Sequence, residues 1–225
     1  MVINGSVILI TSAGTILGRN LTQYFASLGA KIVVTDCDKQ QLQQTYAECL
    51  EAGRDVYPYF IKDYSQHSVD QLFNFIETQF EQSIDILINN WLNRPLPTLT
   101  SSASGEEFGS QFSHLAQSMY SFGHSCANQM CKHHKHGVIV NLLTNECLDK
   151  ILGTESASSM VDGMTKSWAK ELQPFDIRVG GILPTIHHDA HDDYLSNFAK
   201  LSDELVRNAE YIIENDSFHG RVMSC

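Results

Sequence analysis

Short runs of uninterrupted apolar residues alternate along this chain with longer segments of helical period. That alternation constrains the fold more than any other feature. VILI closes residues 2–10, KIVVTD occupies 31–36, VYPYFIKD 56–63, IDILINN 84–90, GVIVNLL 137–143 and IRVGGILP 177–184. Between the first two runs, Leu17, Leu21, Phe25 and Leu28 recur at helical spacing; Leu72, Phe73, Ile76 and Phe80 share one face of 68–83. Residues 106–134, 156–172 and 202–215 read as further helices, and HGRVMS at 219–224 as a short closing strand. Strands that are apolar throughout, rather than at alternate positions, belong to a parallel sheet covered on both faces. The pattern predicts one α/β domain over 1–225: a doubly wound, parallel seven-stranded sheet with helices on both faces.

Charge narrows the partners. The net charge is −11, from 15 Lys+Arg against 26 Asp+Glu. A nucleic-acid partner or an anionic membrane surface asks for the opposite sign. No apolar run reaches the roughly 18 residues of a membrane span, and the chain enters its first strand with no signal peptide, so a cytoplasmic location is expected. In a reducing compartment Cys37, Cys49, Cys126, Cys131, Cys147 and Cys225 are expected as free thiols. RPLPTLTSSASG (94–105) reads as a loop at the carboxyl edge of the sheet.

Several motifs sit where this architecture would use them. Thr11-Ser12-Ala13-Gly14-Thr15-Ile16-Leu17-Gly18 occupies the first strand-to-helix turn. Asp36 ends the second strand, Asp63 follows the third, and Asn89-Asn90-Trp91-Leu92 ends the fourth. GTESASSMVDGMTKSWAKEL spans 153–172, with Arg178-Val179, Pro184 and Gly220 further on. In order and spacing these resemble the short-chain dehydrogenase/reductase family, over essentially the whole chain. The resemblance implies a Rossmann-type fold and an NAD(P)-dependent oxidoreductase scaffold.

The departures from the family pattern are specific. Its turn reads Thr-Gly-x-x-x-Gly-apolar-Gly; here Thr11 and Gly18 are kept, Ser12 replaces the first glycine and Ile16 the middle one. A pyrophosphate needs helix N-terminal N–H groups and close backbone approach. A branched side chain at 16 works against that approach, while Gly14 offers a shifted turn. The resemblance gives Asp36 the adenosine ribose, which favours NAD over NADP, and gives Asp63 the adenine. Trp91 and Leu92 replace a small Ala-Gly pair, so they either turn outward or fill the pocket. Ser12, Gly14, Gly18, Asp36, Asp63 and Asn89 are the residues expected to touch a dinucleotide, and none is expected to bind with high affinity.

The catalytic set is more depleted. By resemblance, a tyrosine is the general acid, a lysine lowers its pKa, a serine holds the substrate oxygen and a helix asparagine supports a water relay. Thr154 and Ser158 occupy the tyrosine and lysine positions, or Glu155 and Ser159 in a register shifted by one. The asparagine falls on Leu115 or, shifted, His114. Thr144 alone keeps a hydroxyl, at the serine position. Lys150, Glu155, His114 and Tyr120 are the residues that could stand in for the missing acid. The lid that the family carries after Pro184 is shortened here to TIHHDAHDDYLSNFAKL. His187 and His191, at i and i+4 with Asp192 and Asp193 nearby, have a metal-compatible spacing but no further anchor, and no metal is expected. Cys147 lies near the would-be active site and reads as a plain loop thiol.

The resemblance also implies a homodimer through the helices at 106–134 and 156–172, with Met160, Met164 and Trp168 as an apolar stripe. Two functions fit: a catalytically silent binding or assembly protein, or a divergent NAD-dependent oxidoreductase acting on a small carbonyl or alcohol.

Overall fold

The computed structural model describes residues 1–92, 96–144, 154–183 and 194–224, without the side chains of Leu92, Thr154 and 194–200. Seven strands, β1 (Val7–Ile10), β2 (Lys31–Asp36), β3 (Val56–Phe60), β4 (Ile86–Leu92), β5 (Val138–Thr144), β6 (Arg178–Leu183) and β7 (Arg221–Ser224), form one sheet in the order β3-β2-β1-β4-β5-β6-β7. Every pairing is parallel, with Ile8 opposite both Ile32 and Ile86 and Leu92 opposite Thr144. This is the doubly wound arrangement that the apolar runs predicted.

Alternation along each strand sorts the core into two layers. Ile8 and Ile10 pack with Leu17, Leu21 and Phe25 of α1 (Ile16–Ser27), Leu42 of α2 (Lys39–Glu51), and Val206, Ala209 and Ile213 of α6 (Tyr194–Glu214). Val7 and Leu9 pack on the other face, with Leu72 and Ile76 of α3 (Gln66–Phe80), Phe122 and Met130 of α4 (Gly105–Lys132), and Val161 of α5 (Thr154–Leu172). Both faces are thus covered, which is why β1 and β5 are buried at every position.

Helix α2 has no counterpart among the segments expected from periodicity. It buries only Leu42, Thr45 and Cys49, too few to register as an apolar face. Its start is fixed locally: the Asp38 carboxylate accepts from the N–H groups of Gln40 and Gln41 at 2.9 and 3.0 Å. Helix α6 also starts earlier than expected, at Tyr194, within the segment read as a shortened lid. Pro184, His187, His191, Asp192 and Asp193 lie outside the described residues, as do Cys147, Lys150 and Cys225. Among the described residues Cys37, Cys49, Cys126 and Cys131 are free thiols.

The apolar stripe on α5 faces inward. Trp168 is 9% exposed, and its ring lies against Gly123 of α4, where a Cβ would come within 2.6 Å of two indole carbons. Met160 and Met164 are half-buried against the same core layer. Trp168 is therefore packed within one protomer, while Met160 and Met164 stay partly exposed. Arg178 closes the far end of the sheet: its guanidinium donates to the carbonyls of Ile212, Ile213, Asn215 and Phe218 at 2.6–3.2 Å. A cation there complements the C-terminal dipole of α6.

Among the described glycines, Gly18 leaves the least room for a side chain. A Cβ on it would fall 2.3 Å from the Ser12 carbonyl oxygen and 2.7 Å from Ala13 Cα, both backbone atoms. Gly18→Ala is expected to destabilise the protein by at least ~1–3 kcal/mol, the usual cost of overpacking. Gly109→Ala, on α4 with nothing within 4 Å of its Cβ position, is expected to stabilise by ~0.5–1 kcal/mol. Urea denaturation of the two variants beside the wild type measures both shifts.

Candidate functional site

The strand order reverses between β1 and β4, and in such sheets ligands bind beyond the carboxyl ends of the strands at that point. A crevice of ≈ 1150 Å³ opens there, walled by the 12–16 turn, Asp36, Cys37, Asp63, Tyr64, Trp91 and the first half of α4.

The turn is held by its own side chains. Ser12 adopts a left-handed φ of 47°, the conformation that makes glycine the natural residue at this position. Its carbonyl accepts from the Thr15 N–H (3.2 Å), the Thr15 hydroxyl (2.8 Å) and Asn90 Nδ2 (3.4 Å). Thr15 caps α1, its Oγ1 accepting from Gly18 N–H at 3.0 Å and from Asn90 Nδ2 at 3.2 Å. Ala13 N–H donates to the Thr35 carbonyl at 3.1 Å.

Asp36 folds back onto this turn. Oδ2 accepts from Gly14 N–H at 2.8 Å and Oδ1 from Asp38 N–H at 2.9 Å. Burial pushes its carboxyl above the ordinary value, although the Asp38 and Gly14 N–H groups pull the other way. A Cβ on Gly14 would lie 2.6 Å from Gln41 Cβ and 3.0 Å from Asp36 Oδ2. The absent side chain therefore admits α2 and the Asp36 carboxylate. Ile16 is half exposed on the crevice wall.

Asp63 also lines the crevice, but its Oδ1 accepts from Ser65 N–H at 3.0 Å, from the Ser65 hydroxyl, and from the Ser68 hydroxyl at 2.7 Å. Those hydrogen bonds, that of the Ser65 hydroxyl first, hold its pKa down at about 2. Asn89 points into the sheet packing: Nδ2 donates to the Met119 carbonyl (3.3 Å) and Asn141 Oδ1 (3.2 Å), and Oδ1 accepts from Trp91 Nε1 at 2.7 Å.

Trp91 does not turn outward. β4 continues through it, paired with Leu143, and the indole lies 4% exposed on the crevice floor. It packs edge-to-face with Phe122 at 5.7 Å and with Tyr64 at 5.2 Å. Tyr64 was not singled out by sequence; the available signal was its place directly after Asp63, at a strand end facing the crevice. Its hydroxyl lies near the Cys37 and Ser12 side chains, and burial pushes the phenol far above its ordinary pKa.

Thr144 is 1% exposed, and its hydroxyl donates to the Trp91 carbonyl at 3.2 Å, with Asn90 Oδ1 at 3.5 Å. His114 and Leu115 lie on the crevice wall; Ser158 is half-buried on α5 and Glu155 exposed at its start. Tyr120 is 52% exposed and stacks on His124. The structure therefore gathers Ser12, Gly14, Asp36 and Asp63 at one crevice, and places Asn89 and Thr144 in the strand packing beneath it.

The Asp63 carboxyl has a folded pKa of about 2 against 3.8 for an ordinary aspartate. Its contribution to stability is present above 3.8 and lost as pH falls towards 2. Asp63→Asn is expected to lower stability at pH 7, with a gap from wild type that narrows below pH 4. Equal gaps in urea midpoint at pH 7 and pH 3 would contradict this.

Comparison with known proteins follows the same lines. The short chain dehydrogenase family model matches residues 6–196. A diacetyl reductase, (S)-acetoin forming, from Staphylococcus epidermidis is 29% identical over 203 residues, covering 88% of this chain and 77% of that protein. A 3-oxoacyl-acyl-carrier-protein reductase from Thermotoga maritima is 27% identical over 187 residues, covering 82% and 75%. An estradiol 17-beta-dehydrogenase 11 from Rattus norvegicus is 34% identical over 88 residues, which are 38% of this chain and 28% of that protein. Among solved structures, a short-chain type dehydrogenase/reductase from Mycobacterium marinum superposes with a TM-score of 0.82 at 19% identity, covering 99% of this chain and 94% of the other. A 3-ketoacyl-(acyl-carrier-protein) reductase from Brucella melitensis, complexed with NADH, gives 0.78 at 21%, covering 99% and 97%. With the family model matching most of its length, this chain belongs to the short chain dehydrogenase family.

Proposed function

We propose that this chain is a catalytically silent short-chain dehydrogenase that keeps the family's crevice for a binding or assembly role. The observation that carries this reading is the state of the polar groups at the crevice. The Thr144 hydroxyl donates to the Trp91 carbonyl, and the one phenol that lines the crevice among the described residues, Tyr64, is made a weaker acid by burial. General acid catalysis contributes ~10²–10⁴-fold and needs a group with a pKa near the working pH. Thr154 and Ser158, at the tyrosine and lysine positions, supply neither a phenol nor an ammonium.

Where a dinucleotide binds, Ser12, Gly14, Gly18, Asp36 and Asp63 are the residues that would meet it, and NAD is preferred over NADP. Asp36 and Asp38 both line the crevice, and the guanidinium of Arg19 is engaged with Glu48 at 3.2 Å and Gln41 at 3.5 Å. A 2′-phosphate would meet two carboxylates there. Binding is weak because Asp36 already holds Gly14 N–H and because Ile16 and Trp91 stand in the crevice. The relatives named as reductases support a second reading, an NAD-dependent oxidoreductase acting on a small carbonyl or alcohol; the large crevice with Asp36 at the end of β2 favours it.

NADH titration separates the two. Silence predicts no saturable binding tighter than ~10 μM, roughly −7 kcal/mol, and no turnover of simple ketones or alcohols. Ile16→Gly should improve binding more than Asp36→Ala weakens it, and Thr154→Tyr with Ser158→Lys should not by itself restore turnover. NADH consumption by the wild type, abolished in Thr144→Ala, would establish the oxidoreductase instead.

A homodimer through α4 and α5 is part of the same proposal. Since Trp168 is packed inside its own protomer, the test moves to Tyr120, half exposed on α4. Light scattering at micromolar concentration should give a dimer that Tyr120→Asp weakens; a wild-type monomer would refute it.

A further inference from the structure

The polar edge of the crevice does not account for its most unusual feature, a tyrosine lying across it. Tyr64 follows β3 and lines the crevice together with Cys37, just beyond β2, and Ser12, in the turn after β1. Its ring meets Trp91 of β4 edge-on at 5.2 Å, and Phe122 and His114 of α4 at 6.1 Å each. One side chain thereby reaches from the end of β3 to the end of β4 and to α4, at the crevice that Asp36 also lines.

The surroundings of that ring have the features of a binding slot for a flat molecule. Trp91 and His114 line it, with Phe122 packed behind Trp91, and the Asp36 carboxylate stands at the same crevice wall. Asp36 Oδ2 accepts from Gly14 N–H and Oδ1 from Asp38 N–H, and the Cys37 N–H also acts on the carboxylate. A carboxylate offers about four lone-pair sites, so Asp36 retains capacity for sugar hydroxyls.

We infer that Tyr64 is a built-in occupant of the nucleoside end of the crevice, and that a ligand carrying a planar base joined to a hydroxylated sugar binds there by displacing it. The inference deepens the proposed binding role and rests on that reading of the crevice. Its logic is competition. An attached ring is always present at high effective concentration, and apparent affinity falls in proportion to the fraction of molecules with the slot open. A ring that closes the slot in nine molecules of ten weakens a ligand about tenfold. On this account Tyr64 sets the affinity of the crevice more than Asp36 does.

The chain has two tryptophans, Trp91 and Trp168. Trp91 lies beside the slot, whereas Trp168, on α5, is packed against Gly123 of α4, so tryptophan emission reports occupancy. Adenosine and NADH are titrated into the wild type, Tyr64→Ala and Tyr64→Phe. The expected result is at least tenfold tighter binding of both ligands to Tyr64→Ala, and binding to Tyr64→Phe, which keeps the ring, within about threefold of wild type. Unchanged affinity in a folded Tyr64→Ala protein overturns the inference. If that variant does not fold, Tyr64→Val takes its place. The wild type gives an independent measurement: with ring-labelled tyrosines, the Tyr64 signal, assigned by its loss in Tyr64→Phe, should move on saturation with adenosine. A Tyr64 signal that stays fixed at saturation also overturns the inference. The binding ratio between variants tests Tyr64 alone. Tight NADH binding or turnover by the wild type tests the silent reading, so either idea can fail while the other stands.

Discussion

The approach of α1 to the end of β1 at Gly18 is the constraint on which this structure depends. No side chain fits between Gly18 and the backbone of Ser12 and Ala13. That contact forces the chain through a left-handed Ser12 and brings Thr15 into position to cap α1. Once the turn is fixed, Asn90 can reach both the Ser12 carbonyl and Thr15 from β4. Asp36 can likewise reach Gly14 N–H from β2. Three neighbouring strand ends are thus joined by polar contacts at the place where the doubly wound topology opens a crevice.

The same contacts decide the chemistry of that crevice. A helix N-terminus binds an anion through N–H groups that point at it. Here the N–H groups of Ala13, Gly14, Thr15 and Gly18 all have acceptors within the protein. The carboxylate on Gly14 is itself buried and penalised for it, which makes the arrangement a settled one only because backbone donors meet it. Beneath the turn, Asn89, Asn141 and Trp91 form a chain of buried hydrogen bonds. Thr144 ties β5 to β4 in the same layer. These buried side chains hold the strand ends in register.

The fold was legible because periodicity is a local property. Apolar runs such as KIVVTD and GVIVNLL are buried on both faces, and that burial is written into consecutive residues; both became strands at or within one residue of the expected bounds. Helix α2 escaped because Leu42, Thr45 and Cys49 are its only buried residues. Its stability comes from a cap and from packing on the sheet rather than from a clear stripe. The replacement of a glycine by Ser12 was legible as a residue type, but its left-handed φ of 47° was seen only in the structure.

What the sequence determined by itself is the parallel, doubly wound sheet, the positions of its turns and the residue types at the crevice. What only the tertiary structure decided is where those side chains point. Asn89 and Thr144 turn into the sheet, Trp91 turns inward and Trp168 lies on Gly123 of its own protomer. The Tyr64 ring meets residues far along the chain, Trp91, His114 and Phe122. The physical reason is that secondary structure follows from the spacing of neighbours along the chain. The direction of a buried polar or aromatic side chain follows from which distant group satisfies it, and that is settled only when the strand ends meet.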